Sequence, residues 1–246
     1  DTSAGEWRSY AGDIAGTKYS PLDQIDGDNF SDLELVWGWT SVDTFVSKTT
    51  PGGGEWWGPL DAIVDSLISE TPNLYRVGHA PNPSGFQATP LMVDGILYFN
   101  TPLAQGVAID AATGKTLWVF NPKTYEQGIP AMGSWAQRGV AYWTDGDGDE
   151  RIFWGTENGY LVCVNAKNGQ PCADFGSDGS GIIDAQIGIP RLERDARNHK
   201  NLMLSALMSP PIIVRDKVIH GSQLADQVIH KKQPPGWVRA WDVRTG

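Results

Sequence analysis

The sequence predicts an all-β fold made of repeated four-stranded units, the content of propeller blades, and three observations carry that prediction. Three segments read as copies of one another, turn-forming residues are plentiful, and tryptophan is unusually frequent. With Gly 29 and Pro 16 in 246 residues and charged residues at 20%, many short strands joined by tight turns are favoured over long helices. Eleven Trp point to a packing position used once per unit, or to rings that stack on a flat ligand. A hydrophobic content of 40% is enough to bury a core.

The copies are AIDAATGKTLW (Ala108 to Trp118), CVNAKNGQPCADF (Cys163 to Phe175) and AWDVRTG (Ala240 to Gly246). Each sets Asp or Asn four residues before a Gly. In such a turn the Asp or Asn side chain bonds nearby backbone, and Gly takes a positive φ before the chain returns as the next strand. Ahead of the first and third copies stand PLMVDGILYFNT from Pro90 and PIIVRDKVIHGS from Pro211, each a hairpin. The middle copy has its own hairpin, RGVAYW (Arg138 to Trp143) and RIFWGT (Arg151 to Thr156), around the acidic turn DGDGDE (Asp145 to Glu150). Alternating oxygens give that turn the look of a calcium loop, but it lacks the spacing to a bidentate Glu, so it reads as a solvated turn. LELVWGW (Leu33 to Trp39) reads as the closing strand of a fourth, partial unit. Residues 41–86 show no clear period and read as a long loop insertion, with Asp61 to Ser69 a short helix inside it. The last copy stops at Gly246, where the first continues as KTLW, and the natural protein is expected to continue.

A formal net charge of −10, with no long Lys/Arg cluster, argues against a nucleic-acid partner. No apolar run reaches the length of a membrane span, and the first ten residues lack the pattern of a signal peptide. No glycine-rich phosphate loop precedes a helix, which leaves nicotinamide and nucleotide sites without support. His79, His199, His220 and His230 have neither ligand spacing nor a nucleophile partner, and read as surface or loop residues. Cys163 and Cys172 flank the Asn165 to Gly169 turn and could face each other across it. Two thiols make no zinc site without histidines nearby, and whether they bond depends on their geometry.

Spread along the chain in order, WRSYAGDIAGTKYSPLDQI, FQATPLMVDGILYFNTP, QRGVAYW, LVCVNAKNGQPCADFG, MSPPIIVRDKVIHGSQLAD and PPGWVRAWDVRTG resemble the PQQ-dependent (pyrroloquinoline quinone) dehydrogenases, in particular the glucose, quinate and alcohol branch. The resemblance implies an eight-bladed propeller with PQQ and Ca²⁺ on its axis, of which residues 1–246 are the N-terminal part of one domain, about the first four blades. It implies a periplasmic oxidoreductase that oxidises an alcohol or sugar hydroxyl, passing electrons to ubiquinone or a cytochrome c. Peripheral membrane association would come through parts outside the chain. The catalytic base, the stacking Trp and a second metal ligand are expected beyond residue 246, so the chain alone should not turn over. The alternative is a non-catalytic propeller of PQQ-like repeats serving as a binding or assembly scaffold.

PQQ is a flat tricarboxylate with an ortho-quinone, so its site needs cations and amides for the carboxylates and a Lewis acid at the quinone. By resemblance Arg138 matches the arginine that holds a PQQ carboxylate, a task for a planar bidentate donor. Gln87 matches a position facing the cofactor from the start of an inner strand. Ser209 and Gln223 lie on segments that approach PQQ in the family, and Asp226 falls where the family places the acidic ligand of Ca²⁺. The chain departs from the pattern at Met208, where Thr is expected, and at Gln223 and Leu224, where small residues are expected. Leu103 stands where the glucose branch often has a polar residue, and the adjacent cysteine pair of the alcohol branch is absent.

Overall fold

A computed structural model describes residues 2–43, 85–127, 135–188, 206–223 and 235–246. Three antiparallel sheets follow one another along the chain. The first holds β1 (Leu91–Val93), β2 (Ile96–Asn100), β3 (Gly106–Asp110) and β4 (Thr116–Phe120) in sequence order. The second holds β5 (Ala141–Thr144), β6 (Glu150–Gly155), β7 (Tyr160–Asn165) and β8 (Ile182–Asp184), also in order. The third holds β9 (Ile212–Val214), β10 (Lys217–Gly221) and β11 (Val238–Asp242). This is the meander of a propeller blade, repeated.

The turn chemistry explains the repeat. Gly114, Gly169 and Gly246 each donate their N–H to the carbonyl of the Asp or Asn four residues earlier, at 2.8, 2.9 and 3.0 Å. The Asp110, Asn165 and Asp242 side chains accept from Thr113, Lys167 and Arg244 N–H groups at 2.8, 2.9 and 3.0 Å, holding each turn shut. All three glycines have positive φ, at 71°, 68° and 85°. The acidic turn is likewise closed on itself, with Asp145 Oδ1 accepting from the Asp147 and Asp149 amides, as the solvated-turn reading expects.

The sheets pack face to face, and burial patterns record how many neighbours each has. In the second sheet β6 buries five of its six residues and β7 its four central ones, because both faces are covered. In the third sheet β10 alternates, with Val218 and His220 buried between less buried neighbours, because one face packs and the other does not. Leu91, Tyr98, Trp118, Ile152, Trp154 and Val162 form the core between the first and second sheets. Trp143, Phe153, Leu161, Phe175, Val218 and Trp241 form that between the second and third.

Indoles do serve a recurring packing position. Trp118 donates to the Ala166 carbonyl at 2.8 Å, and Trp37 donates to the Ala111 carbonyl at 3.1 Å, each ring lying against the glycine of the turn it reaches. Thus the segment expected as a closing strand forms no strand among the described residues, yet its Trp37 docks on the first sheet as Trp118 docks on the second. Trp39 follows it onto Phe99, with ring centroids 5.1 Å apart. The second unit also departs from expectation. Its turn at Gly169 is followed by a detour through residues 170–181 before β8 pairs with β7. His220 is a buried strand residue rather than a surface or loop one, with Nδ1 2.7 Å from the Gly221 carbonyl. The helix expected at Asp61 to Ser69, and most of the 41–86 loop, lie outside the described residues, as do His79, His199 and His230.

Candidate cofactor site

An antiparallel meander returns to its starting end after every second strand. The lead-ins to β1, β5 and β9 therefore share one end of the sheets with the β2–β3 and β6–β7 connections. At that end the three lead-ins are bonded to one another. The Thr89 amide donates to the Arg138 carbonyl at 3.1 Å, and the Arg138 amide donates to the Met208 carbonyl at 3.1 Å. Thr89 and Gly139 form a parallel bridge. Gly139 has φ 143°, and a Cβ there would sit 3.2 Å from both the Thr89 oxygen and the Pro210 ring, so the close approach of the lead-ins requires glycine.

This convergence sets three of the expected residues on neighbouring segments: Gln87 two residues before Thr89, Arg138 between the two, and Ser209 next to Met208. Gln87 and Ser209 are exposed and Arg138 is half-buried. Among the described residues no hydrogen bond or ion pair engages the Arg138 guanidinium, which carries five N–H donors. Gln223 is half-buried and exchanges backbone bonds with Ala206, at 3.0 and 2.8 Å, three residues before Ser209. Asp226, the expected metal ligand, lies outside the described residues. Leu103 is fully buried, its amide donating to Asp43.

Behind the lead-ins lies a buried polar layer that the sequence reading missed. Asn100, at the end of β2, donates to Gln137 Oε1 at 3.0 Å, joining the first sheet to the residue beside Arg138. Asp43 is fully buried and accepts from Thr101 Oγ1 at 2.7 Å, Gln105 Nε2 at 2.7 Å and the Leu103 amide at 3.0 Å. Burial pushes its pKa up, and these hydrogen bonds pull it part of the way back. Glu157, in the β6–β7 turn, is fully buried, and among the described residues no hydrogen bond of good geometry closes on either carboxyl oxygen. Burial pushes its pKa up to about 8, against the opposing pull of backbone groups and the Gln137 side chain. Polar residues ending otherwise apolar strands, as in YFNT and WGTEN, were the signal available for this layer.

Comparisons with known proteins bear on the family and the fold. The PQQ family profile, described as glucose/ethanol/alcohol dehydrogenase, β-propeller domain, matches residues 7–246. Quinoprotein glucose dehydrogenase A of Acinetobacter calcoaceticus is 28% identical over 258 residues, covering 98% of this chain and 27% of the relative. The dehydrogenase subunit of the alcohol dehydrogenase (quinone) of Acetobacter aceti is 33% identical over 172 residues, covering 69% and 17%. Among solved structures, the quinohemoprotein alcohol dehydrogenase from Comamonas testosteroni superposes with a TM-score of 0.60 at 22% identity, over 99% of this chain and 26% of that one. A europium-containing methanol dehydrogenase superposes with a TM-score of 0.58 at 19% identity, over 100% and 31%. The chain spans about a quarter or less of the length of these curated relatives. It belongs to the PQQ glucose/ethanol/alcohol dehydrogenase family and has its β-propeller fold.

Proposed function

We propose that the protein to which this chain belongs is a periplasmic PQQ-dependent oxidoreductase that oxidises an alcohol or sugar hydroxyl, and that this chain supplies one wall of its cofactor site. The observation that carries the reading is Arg138, a half-buried guanidinium with no hydrogen-bond or ion-pair partner among the described residues, on the middle one of three bonded lead-in segments. A planar cation of this kind suits a carboxylate ligand, and PQQ carries three. Gln87 and Ser209 add amide and hydroxyl groups on the flanking segments, and Gln223 follows the same sheet end. Asp226 is the residue assigned to Ca²⁺, a hard cation that takes oxygen ligands.

Bound PQQ would supply the two-electron quinone that accepts hydride from the substrate carbon. The chain's own part is to bind and orient. Arg138 holds a carboxylate edge, and the bonded lead-ins keep Gln87 and Ser209 at fixed spacing from it. The base that takes the hydroxyl proton is assigned to residues beyond Gly246, with ubiquinone or a cytochrome c as acceptor.

The full-length protein supplied with PQQ and Ca²⁺ is expected to reduce an artificial dye with one or more members of a panel of sugars and alcohols, and to quench its tryptophan fluorescence on titration with PQQ. Neither binding nor activity under those conditions would leave a scaffold propeller as the better reading.

A further inference from the structure

The two cysteines meet across a turn. Val164 and Pro171 form an antiparallel bridge, and in that register Cys163 and Cys172 stand directly opposite each other. The Cys172 amide donates to the Cys163 carbonyl at 3.1 Å, while the Cys163 amide donates to Gly181 at 2.8 Å. One of the two ladder bonds of such a pair is made, and antiparallel partners have Cα atoms about 4.5–5.5 Å apart, within the roughly 4.4–6.8 Å that a disulfide spans. Both residues are buried, at 0% and 8% exposure, and their side chains act on each other. The Arg151 guanidinium is the nearby cation acting on both.

The two thiols are not equivalent. The Cys163 thiol, as donor to Cys172, and then Arg151 hold the Cys172 pKa down. Burial, and then the contact with Cys172, push the Cys163 pKa up. Cys172, the more exposed of the two, is the one an incoming disulfide reaches first, and the fully buried Cys163 is placed to follow.

We propose that Cys163 and Cys172 are a dithiol–disulfide couple, closed by a low-molecular-weight disulfide of the glutathione type, that staples the Asn165–Gly169 turn of the second sheet. Cys172 Sγ attacks one sulfur of the small disulfide, forming a mixed disulfide and expelling one thiolate. Cys163 Sγ, losing its proton to that thiolate, then attacks Cys172 Sγ and expels the second. Two protein thiols are oxidised, one small disulfide is reduced to two thiols, and both protons end on them. Nothing in this step involves PQQ or the lead-in segments, so it stands or falls apart from the proposed function.

Lys167 lies between the two cysteines, so trypsin separates them into peptides 152–167 and 168–191. The full-length protein, both folded and refolded in oxidised glutathione, is quenched with an alkylating agent, digested and measured by mass spectrometry. The expected result is one linked pair that separates on reduction, free thiol at these positions falling from two to none, and a thermal midpoint a few degrees above that of the reduced protein. Recovery of both peptides singly alkylated from both preparations would overturn the proposal. In Cys163→Ser the glutathione adduct is expected on Cys172. In Cys172→Ser, Cys163 stays unmodified in the folded protein, and an equal adduct there would overturn the order of attack.

Discussion

The ring of Trp118 lies on Gly169, so close that a Cβ there would stand 2.6 Å from its Cδ2. The relationship joins the last strand of the first sheet to the turn of the second and repeats at Trp37 and Gly114 with the same 2.6 Å approach. Gly169→Ala must therefore strain a φ of 68° and displace a buried indole whose N–H satisfies Ala166. A loss of about 2–4 kcal/mol is expected. Differential scanning calorimetry of the full-length protein checks it, against Gly95→Ala, where a Cβ meets nothing within 4 Å and only the backbone strain remains.

Arg151 ties the second sheet to the third. It pairs with Asp149 at 2.9 Å and Asp174 at 2.7 Å and donates to the Val243 and Arg244 carbonyls at 3.2 and 3.3 Å. Its side chain is only 7% exposed. Arg151→Met keeps the stem and removes the charge, leaving two carboxylates and two carbonyls to find water at the sheet junction. A destabilisation of about 3 kcal/mol is expected, read as a fall in the denaturant midpoint.

Glu157 makes stability depend on pH. Its pKa rises from 4.5 in the open chain to about 8 in the fold, so between these values the unfolded chain ionises while the folded one stays neutral. Stability then falls with rising pH across this window, by up to about 1.4 kcal/mol per pH unit, and levels off above pH 8. Glu157→Gln mimics the neutral acid and removes that slope. Thermal midpoints of the two proteins should coincide near pH 4 and separate in favour of the variant up to pH 8. A constant gap at every pH would show that ionisation is not the cause.

Arg138→Ala tests the cofactor wall. Losing a charge-assisted bidentate contact is expected to raise the Kd for PQQ about 10- to 100-fold, measured by fluorescence titration of the full-length protein. Arg138→Lys should recover only part of it, because a point charge cannot bond two carboxylate oxygens in one plane. The thermal midpoint without PQQ should hardly move, since the guanidinium bonds nothing within the described fold.

The repeat and its turns were legible in the sequence because they are local. Asp110 and Gly114, or Asn165 and Gly169, reach each other within one turn, so their spacing alone states the hydrogen bonds they make. The same locality made the Cys163 and Cys172 juxtaposition readable as a question, with register left to answer it. What no local rule could supply was the burial of Asp43, Glu157 and His220, or the bonding of Arg138 between Thr89 and Met208. The partners of the Asp43 carboxyl and of the Arg138 backbone lie 49 or more residues away in sequence and meet them only when whole sheets stack. Residue type and spacing thus determined the strands, turns and family of this protein. The tertiary packing of one sheet on the next decided which polar groups lost water, and hence which carboxyl is held neutral and which segments carry Arg138 between them.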